Sequence, residues 1–309
     1  MTAESSTAAA PAAAPSTAWL DLTAIVVCTL CWGTTWFAIT LQLGVVDPVV
    51  SVVYRFAFSA ALLFIWCAVR GERIALTRAQ HFAALGVGVS TFTINYTLVY
   101  LAEQWVTSAV VAVLFATMAF ANLIGFRIAF GQRPALLAWA AASLGIVGVS
   151  LLAWEEVASS HFGAQALTGV VITLIGVGFA VLGNVFARRG EVAGSSVASS
   201  TAWAMAYGAA ALALYALVTG KAWSVEPTLG YWLSFLHLSV NGSVVAFLLY
   251  YGLARRRGYA TASYISALAP ALAMLVSSLF EHKSWGAMAL GGVVLLLMGQ
   301  VLLLRARRS

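Results

Sequence analysis

Charge is scarce in this chain. Of 309 residues, 16 are Lys or Arg and 10 are Asp or Glu, and nearly all fall between apolar stretches about 20 residues long. A soluble domain carries far more charge than this, so that class is excluded. The alternation over about 10 residues that marks a transmembrane barrel is absent too. Cysteine is limited to Cys28, Cys31 and Cys67. The first two form a CxxC inside one apolar segment, with no His or carboxylate at ligand spacing, and read as packing residues. No glycine-rich nucleotide loop occurs, no soluble domain fits between the apolar stretches, and no cofactor or metal is expected. No nucleophile and base stand out as a pair, which argues against an enzyme. The net charge of +6 is spread over many joints and forms no compact basic surface, so nucleic acid is not an expected partner.

What the chain does have is ten apolar segments: 20–42, 48–69, 80–102, 106–128, 134–154, 165–187, 197–219, 228–251, 260–280 and 284–304. A hydrocarbon core about 30 Å thick takes about 20 helical residues per crossing, and a helix satisfies its backbone internally. The expectation is an all-α membrane protein with ten transmembrane helices. Turn formers and charges mark the joints, as in Val46-Asp47-Pro48, Arg70-Gly71-Glu72-Arg73 and Gly131-Gln132-Arg133-Pro134. Residues 1–18, mostly Ala, Ser, Thr and Pro, read as a disordered tail. They lack the basic segment of a cleavable signal peptide, so the first helix is expected to be retained. Residues 305–309 form a basic tail.

Basic residues alternate from joint to joint. With a cytoplasmic amino terminus, the inward joints and tail hold 13 basic residues from Arg70 to Arg308, and the outward joints hold only Lys221 and Lys283. That bias places both termini in the cytoplasm.

The segments divide into halves of five, 20–154 and 165–304. Tyr100–Leu114 lies beside Tyr251–Ile265, each an aromatic helix end, a polar joint and a helix opening on small residues. Five is odd, so the second half enters the membrane inverted: span three ends near Glu103, its counterpart at Arg255-Arg256-Arg257. A 5+5 inverted repeat is an architecture of secondary transporters, with the substrate site between the halves.

With these features the chain resembles the drug/metabolite transporter superfamily, in its ten-helix EamA-type branch, which includes the YddG-type amino-acid exporters. The resemblance is carried by CWGTTWFAI from Cys31, by Pro48 with Tyr54-Arg55-Phe56, by SAVVAVL from Ser108, by TASYISALAPALAMLVSSLFE from Thr261, and by a Gly-rich last helix in each half. It spans about residues 20–304. Thr117 and Met118 depart from it where a proline often occurs, and the joint at 131–134 lacks the usual Glu. The resemblance implies a multi-pass protein of the bacterial inner membrane with a central cavity. It implies export of small metabolites, amino acids including aromatic ones foremost. A drug or quaternary-cation exporter of the same fold and a channel-like facilitator are the alternatives.

Polar groups deep in a span are costly unless paired or facing an aqueous path, which makes them site candidates. Six are expected to bind substrate: Trp32, Tyr96, Asn122, His237, Asn241 and Tyr264. Arg55, Asn95, Asn184 and Pro270 are assigned gating or structural roles. Arg55 sits about 10 Å along its helix from Pro48; it could meet a carboxylate or cap carbonyls. Trp32 and Trp36 share a helix face, and so do His237 and Asn241. Pro270 removes one helix hydrogen bond and permits a bend. No Asp, Glu or Lys falls mid-span, so uniport by alternating access is the expected mechanism. The small-residue helices at Gly145, Gly148, Gly291 and Gly292 read as close packing, either within a monomer or across a homodimer.

Overall fold

Apolar segments of this length have the α-helix as their stable form in lipid. The computed structural model, which describes residues 18–159 and 164–305, is helical over most of each segment. The rods in chain order are α1 (Ala18–Thr40), α2 (Pro48–Val69), α3 (Arg78–Ala102), α4 (Ser108–Phe130), α5 (Leu136–Ser159), α6 (Ala164–Val192), α7 (Val197–Val218), α8 (Leu229–Arg257), α9 (Tyr259–Phe280) and α10 (Ala287–Arg305). Among the described residues, α1 to α8 are long and apolar enough to cross a membrane. In α9 and α10 the apolar stretches are the shorter Leu268–Phe280 and Ala287–Leu303. The protein is all-α and multi-pass. Of the tails expected at residues 1–18 and 305–309, Ala18 and Arg305 belong to helices, and the remaining residues lie outside the described ones.

Local chemistry sets the ends. Asp47 accepts the Val49 amide at 2.9 Å, with Pro48 in the first turn of α2. Thr77 and Gln80 form a reciprocal capping box at the start of α3. Gly131 stops α4 at φ 68°, a left-handed conformation that glycine adopts without strain.

Three rods are irregular near their middles. α3 and α8 pass into π-helix over Gly88–Asn95 and His237–Val245, at corresponding places in the two halves. α4 tightens between Phe115 and Met118, where Ala116 and Thr117 donate three residues back to Val113 and Leu114 at 3.0 and 3.1 Å. Its counterpart α9 carries the buried Pro270.

Packing follows a pseudo-symmetric scheme. α5 packs on α10, α2 on α7 and α4 on α9. The pairs α1–α9, α3–α7 and α3–α6 are matched by α6–α4, α8–α2 and α8–α1. Glycine sets the closest approach: a Cβ on Gly148 would stand 2.3 Å from the Gly292 carbonyl oxygen, and one on Gly292 would stand 2.4 Å from that of Gly148. Gly148 and Gly292 are therefore used for packing within one chain, whereas Gly291 faces open space.

The two ends of the bundle differ in charge. At one, Arg255 bonds the Ser195 carbonyl, Ser196 donates to Glu72 at 3.0 Å, and Asp21 receives Arg256 and Arg257 at 3.0 and 2.6 Å. At the other, Lys221 pairs with Asp47 at 2.9 Å and Lys283 with Glu156 at 2.6 Å. There Glu155 also accepts the Gly286 and Ala289 amides at the start of α10, at 2.7 and 2.9 Å.

Candidate functional site

The π segment of α3 and the tightened turn of α4 border a cavity of about 80 Å3 walled by α1, α3, α4, α6, α8 and α9. One water needs about 10–15 Å3 on that measure, so the space holds several. From α1 come Trp32, Thr35, Trp36 and Ile39; from α3, Thr91, Asn95, Tyr96 and Val99. Phe115 and Met118 flank the tightened turn of α4. Asn184 of α6, Phe247, Tyr250 and Tyr251 of α8, and Ser266 and Ala269 of α9 complete the wall. Among these described residues none is Asp, Glu, Lys or Arg.

Trp32 is the pivot of the aromatic wall. Its ring lies 5.4 Å from Phe247 and 5.2 Å from Tyr250, and its indole nitrogen donates to the Gly242 carbonyl at 3.1 Å. Gly242 belongs to the π segment of α8, and a Cβ there would stand 2.5 Å from Thr35 Cγ2. A side chain at 242 would push α8 off α1. Thr91 Oγ1 and Asn95 Oδ1, both on the π segment of α3, are buried without a hydrogen-bond partner. Oxygens in that condition are completed by water or by a bound solute.

Arg55 stands one layer behind the wall. It is 0% exposed; its Nε donates to Ser243 Oγ at 3.0 Å and its guanidinium carbon lies 4.6 Å from the Tyr96 ring centroid. Nη1 and Nη2 make no hydrogen bond. Ser59 extends this layer, donating to the Arg55 and Ser239 carbonyls at 2.7 and 3.0 Å. Arg55 thus ties α2 to the π segment of α8 and supports Tyr96 from behind.

The candidates read from the sequence fall into groups. Trp32, Tyr96, Asn95 and Asn184 line the cavity. Asn122 stands behind Asn184, accepting its amide at 3.2 Å, and faces a cleft of about 620 Å3 at the basic end with Arg133, Arg188 and Arg255. That amide pair divides the cavity from the cleft. His237 and Asn241 do not line the cavity: His237 Nε2 is 2.9 Å from Thr34 Oγ1, its Nδ1 is 3.1 Å from Asn241 Nδ2, and Asn241 is exposed. Pro270 follows Ala269, which lines the cavity. The side chain of Tyr264 lies outside the described residues.

At the acidic end a second hollow of about 650 Å3 is lined by residues 43–48, Glu103, Gln104 and Ala222. It is separated from the cavity by Tyr100, which donates to Gln42 Oε1 at 2.8 Å with both residues buried. Thr91, Phe247 and Ser266 were not among the sequence candidates. The signal that could have found Thr91 is the small, hydroxyl-rich composition of GVSTFTIN in the middle of an otherwise apolar rod.

Comparison with known proteins agrees with this geometry. A crystal structure superposes with a TM-score of 0.72 at 18% identity, covering 95% of this chain and 99% of that one. The inner membrane transporter YedA of Escherichia coli K12, described as uncharacterised, is 26% identical over 249 residues, 80% of this chain and 78% of YedA. PagO of Salmonella typhimurium is 26% identical over 149 residues, 47% of this chain and 48% of PagO. The EamA-like transporter family matches residues 19–154 and again 167–305. Two copies of one family pattern, folded around one cavity, make the chain a member of the EamA-like transporter family and a secondary transporter.

Proposed function

We propose that the protein exports small amphipathic metabolites, aromatic amino acids foremost, by alternating access through the central cavity. The observation that carries this reading is the cavity wall: rings on several sides, buried unpartnered oxygens on Thr91 and Asn95, and no charged side chain among the described lining residues. A zwitterion with an aromatic side chain complements it. The ring stacks against Trp32 and Tyr96, and the polar end takes hydrogen bonds from the amides and hydroxyls.

The ten rods then act as ten spans in a 5+5 inverted repeat, 20–154 against 165–304, in the bacterial inner membrane with both termini cytoplasmic. The basic cleft is the cytoplasmic mouth, and the acidic end faces outward. The pseudo-symmetric packing, the paired π segments and the two family matches support this reading. Rocking one half against the other exchanges which partition opens, the Asn122–Asn184 pair or the Tyr100–Gln42 pair.

With no carboxylate among the described residues of the cavity wall, a substrate gradient alone drives the cycle. In liposomes at equal pH and equal sodium on both sides, that gradient sustains saturable flux. Uphill accumulation of a zwitterion driven by an imposed proton gradient would overturn the uniport reading. The ring-lined wall also suits quaternary ammonium cations, so competition by such a dye against tryptophan ranks the two substrate classes.

A further inference from the structure

Glu103 is the one carboxylate among the described residues that is buried with both oxygens unpartnered; it is 7% exposed. It follows the last turn of α3, lines the outer hollow, and sits one turn beyond Tyr100, whose bond to Gln42 closes the cavity on that side. The groups around it are few. Arg55 of α2 acts on it through its charge, and Tyr100 lies on its own helix. Glu281, at the end of α9, is close enough to repel it. Glu156 is held by Lys283 and by the Thr107 amide at 3.3 Å, and Asp47, on the rim of the same hollow, is held by Lys221.

A buried carboxyl keeps its proton unless donors or an opposite charge stabilise the ionised form. Glu281 caps α4: its oxygens accept the Ser108 amide at 3.4 Å and the Ser108 hydroxyl at 2.6 Å, at the positive end of a helix. Glu103 has no donor. Burial first, and then the charge of Glu281, push its carboxyl well above the ordinary range, against the pull of Arg55.

We propose that Glu103 is a proton-binding site built into the outer gate, protonated while the gate is closed and ionised when it opens. The site lies on the outer side of the Tyr100–Gln42 partition. Each closing therefore takes a proton from the outer solution and each opening returns it there, with no net proton carried across the membrane. In the open state the charge of Glu103 is free to meet water and the unpartnered guanidinium nitrogens of Arg55. The inference rests on the alternating-access reading and extends it: acid outside favours the closed gate, and the preference is lost as pH rises through the closed-state value.

The test uses spin labels on cysteines at Gln104 and Ala222, both exposed and both lining the hollow, in protein freed of its three native cysteines. In liposomes from about pH 5 to about pH 9, the open-to-closed ratio should rise up to about tenfold per pH unit while the gate's proton is being released. E103Q, a permanent mimic of the protonated side chain, should hold the short distance at every pH. E281Q, which removes the repulsion, should move the transition to lower pH. Two distances in a ratio indifferent to pH, or a pH response that survives in E103Q, would overturn the proton site and leave alternating access standing. A single fixed distance under all conditions would overturn both.

Discussion

Alanine at Gly148 would place a methyl carbon 2.3 Å from the Gly292 carbonyl oxygen and 2.8 Å from the Leu296 amide nitrogen. Both neighbours are backbone atoms of α10 and cannot swing aside, so α5 and α10 must part by about 1 Å to restore ordinary contact. Overpacking of this kind costs about 1–3 kcal/mol, which corresponds to roughly 2–12 °C in Tm for a chain of a few hundred residues. Gly292→Ala meets the reciprocal obstacle, 2.4 Å from the Gly148 carbonyl oxygen. One separation accommodates both methyls, so the double variant should lose less than the sum, by about 0.5–3 kcal/mol. Gly291 is the matched control: a Cβ there meets nothing within 4 Å, and alanine should be neutral or slightly stabilising through helix propensity. Thermal unfolding in detergent, followed by size-exclusion chromatography, reads all four proteins. A Gly148→Ala protein as stable as the parent, or a Gly291→Ala protein as damaged as Gly148→Ala, would refute the packing argument.

Further outcomes follow from other contacts. Asn122→Leu alone leaves the buried Asn184 amide with only the weakly accepting Met118 sulfur at 3.9 Å and should cost about 1–3 kcal/mol, whereas Asn122→Leu with Asn184→Leu should recover part of that loss in the same unfolding assay. Asp47 raises the Lys221 ammonium above its ordinary value through a hydrogen bond and its charge. The small stabilisation is thus complete below about pH 10.4 and fades as pH rises through the folded-state value. A Tm series from about pH 8 to about pH 11 should show that slope in the parent and a flatter one in Lys221→Met. Single cysteines at Arg73 and Ala222, in exposed joints at opposite ends of the bundle, should react with an impermeant thiol reagent from opposite sides of the membrane; reaction of both from one side would reject the topology.

The rods were legible because lipid leaves one solution for an apolar stretch. α2 begins at Pro48 and α9 ends at Phe280, where the charge and turn pattern put those ends. α8 runs on to Arg257, past the expected 251, because its arginines reach solvent at the basic end while the helix continues. The π segments were not legible. Their polar residues were visible, but whether Ser, Thr and Asn brace a regular helix or widen it depends on neighbours such as Gly208, whose carbonyl takes the Thr93 hydroxyl at 3.2 Å. That His237 and Asn241 face the same way could be read from spacing. Which way that face turns is set by Gly242, whose lack of a side chain lets α8 settle against Thr35. Glu103 was hidden for a different reason: in a joint it reads as a solvated charge, and only the folded structure shows its carboxylate oxygens buried at the edge of the hollow.

Countertransport through the ring-walled cavity tests the central claim most directly. Liposomes holding the purified protein are loaded with unlabelled tryptophan and diluted into labelled tryptophan at equal pH and sodium. The account predicts a transient, saturable accumulation of label. Trp32→Phe should reduce it in part, losing the bond to the Gly242 carbonyl. Trp32→Ala should reduce it further, losing the contacts with Phe247 and Tyr250 as well. Accumulation that is equal in all three proteins, each folded and inserted, would contradict the account.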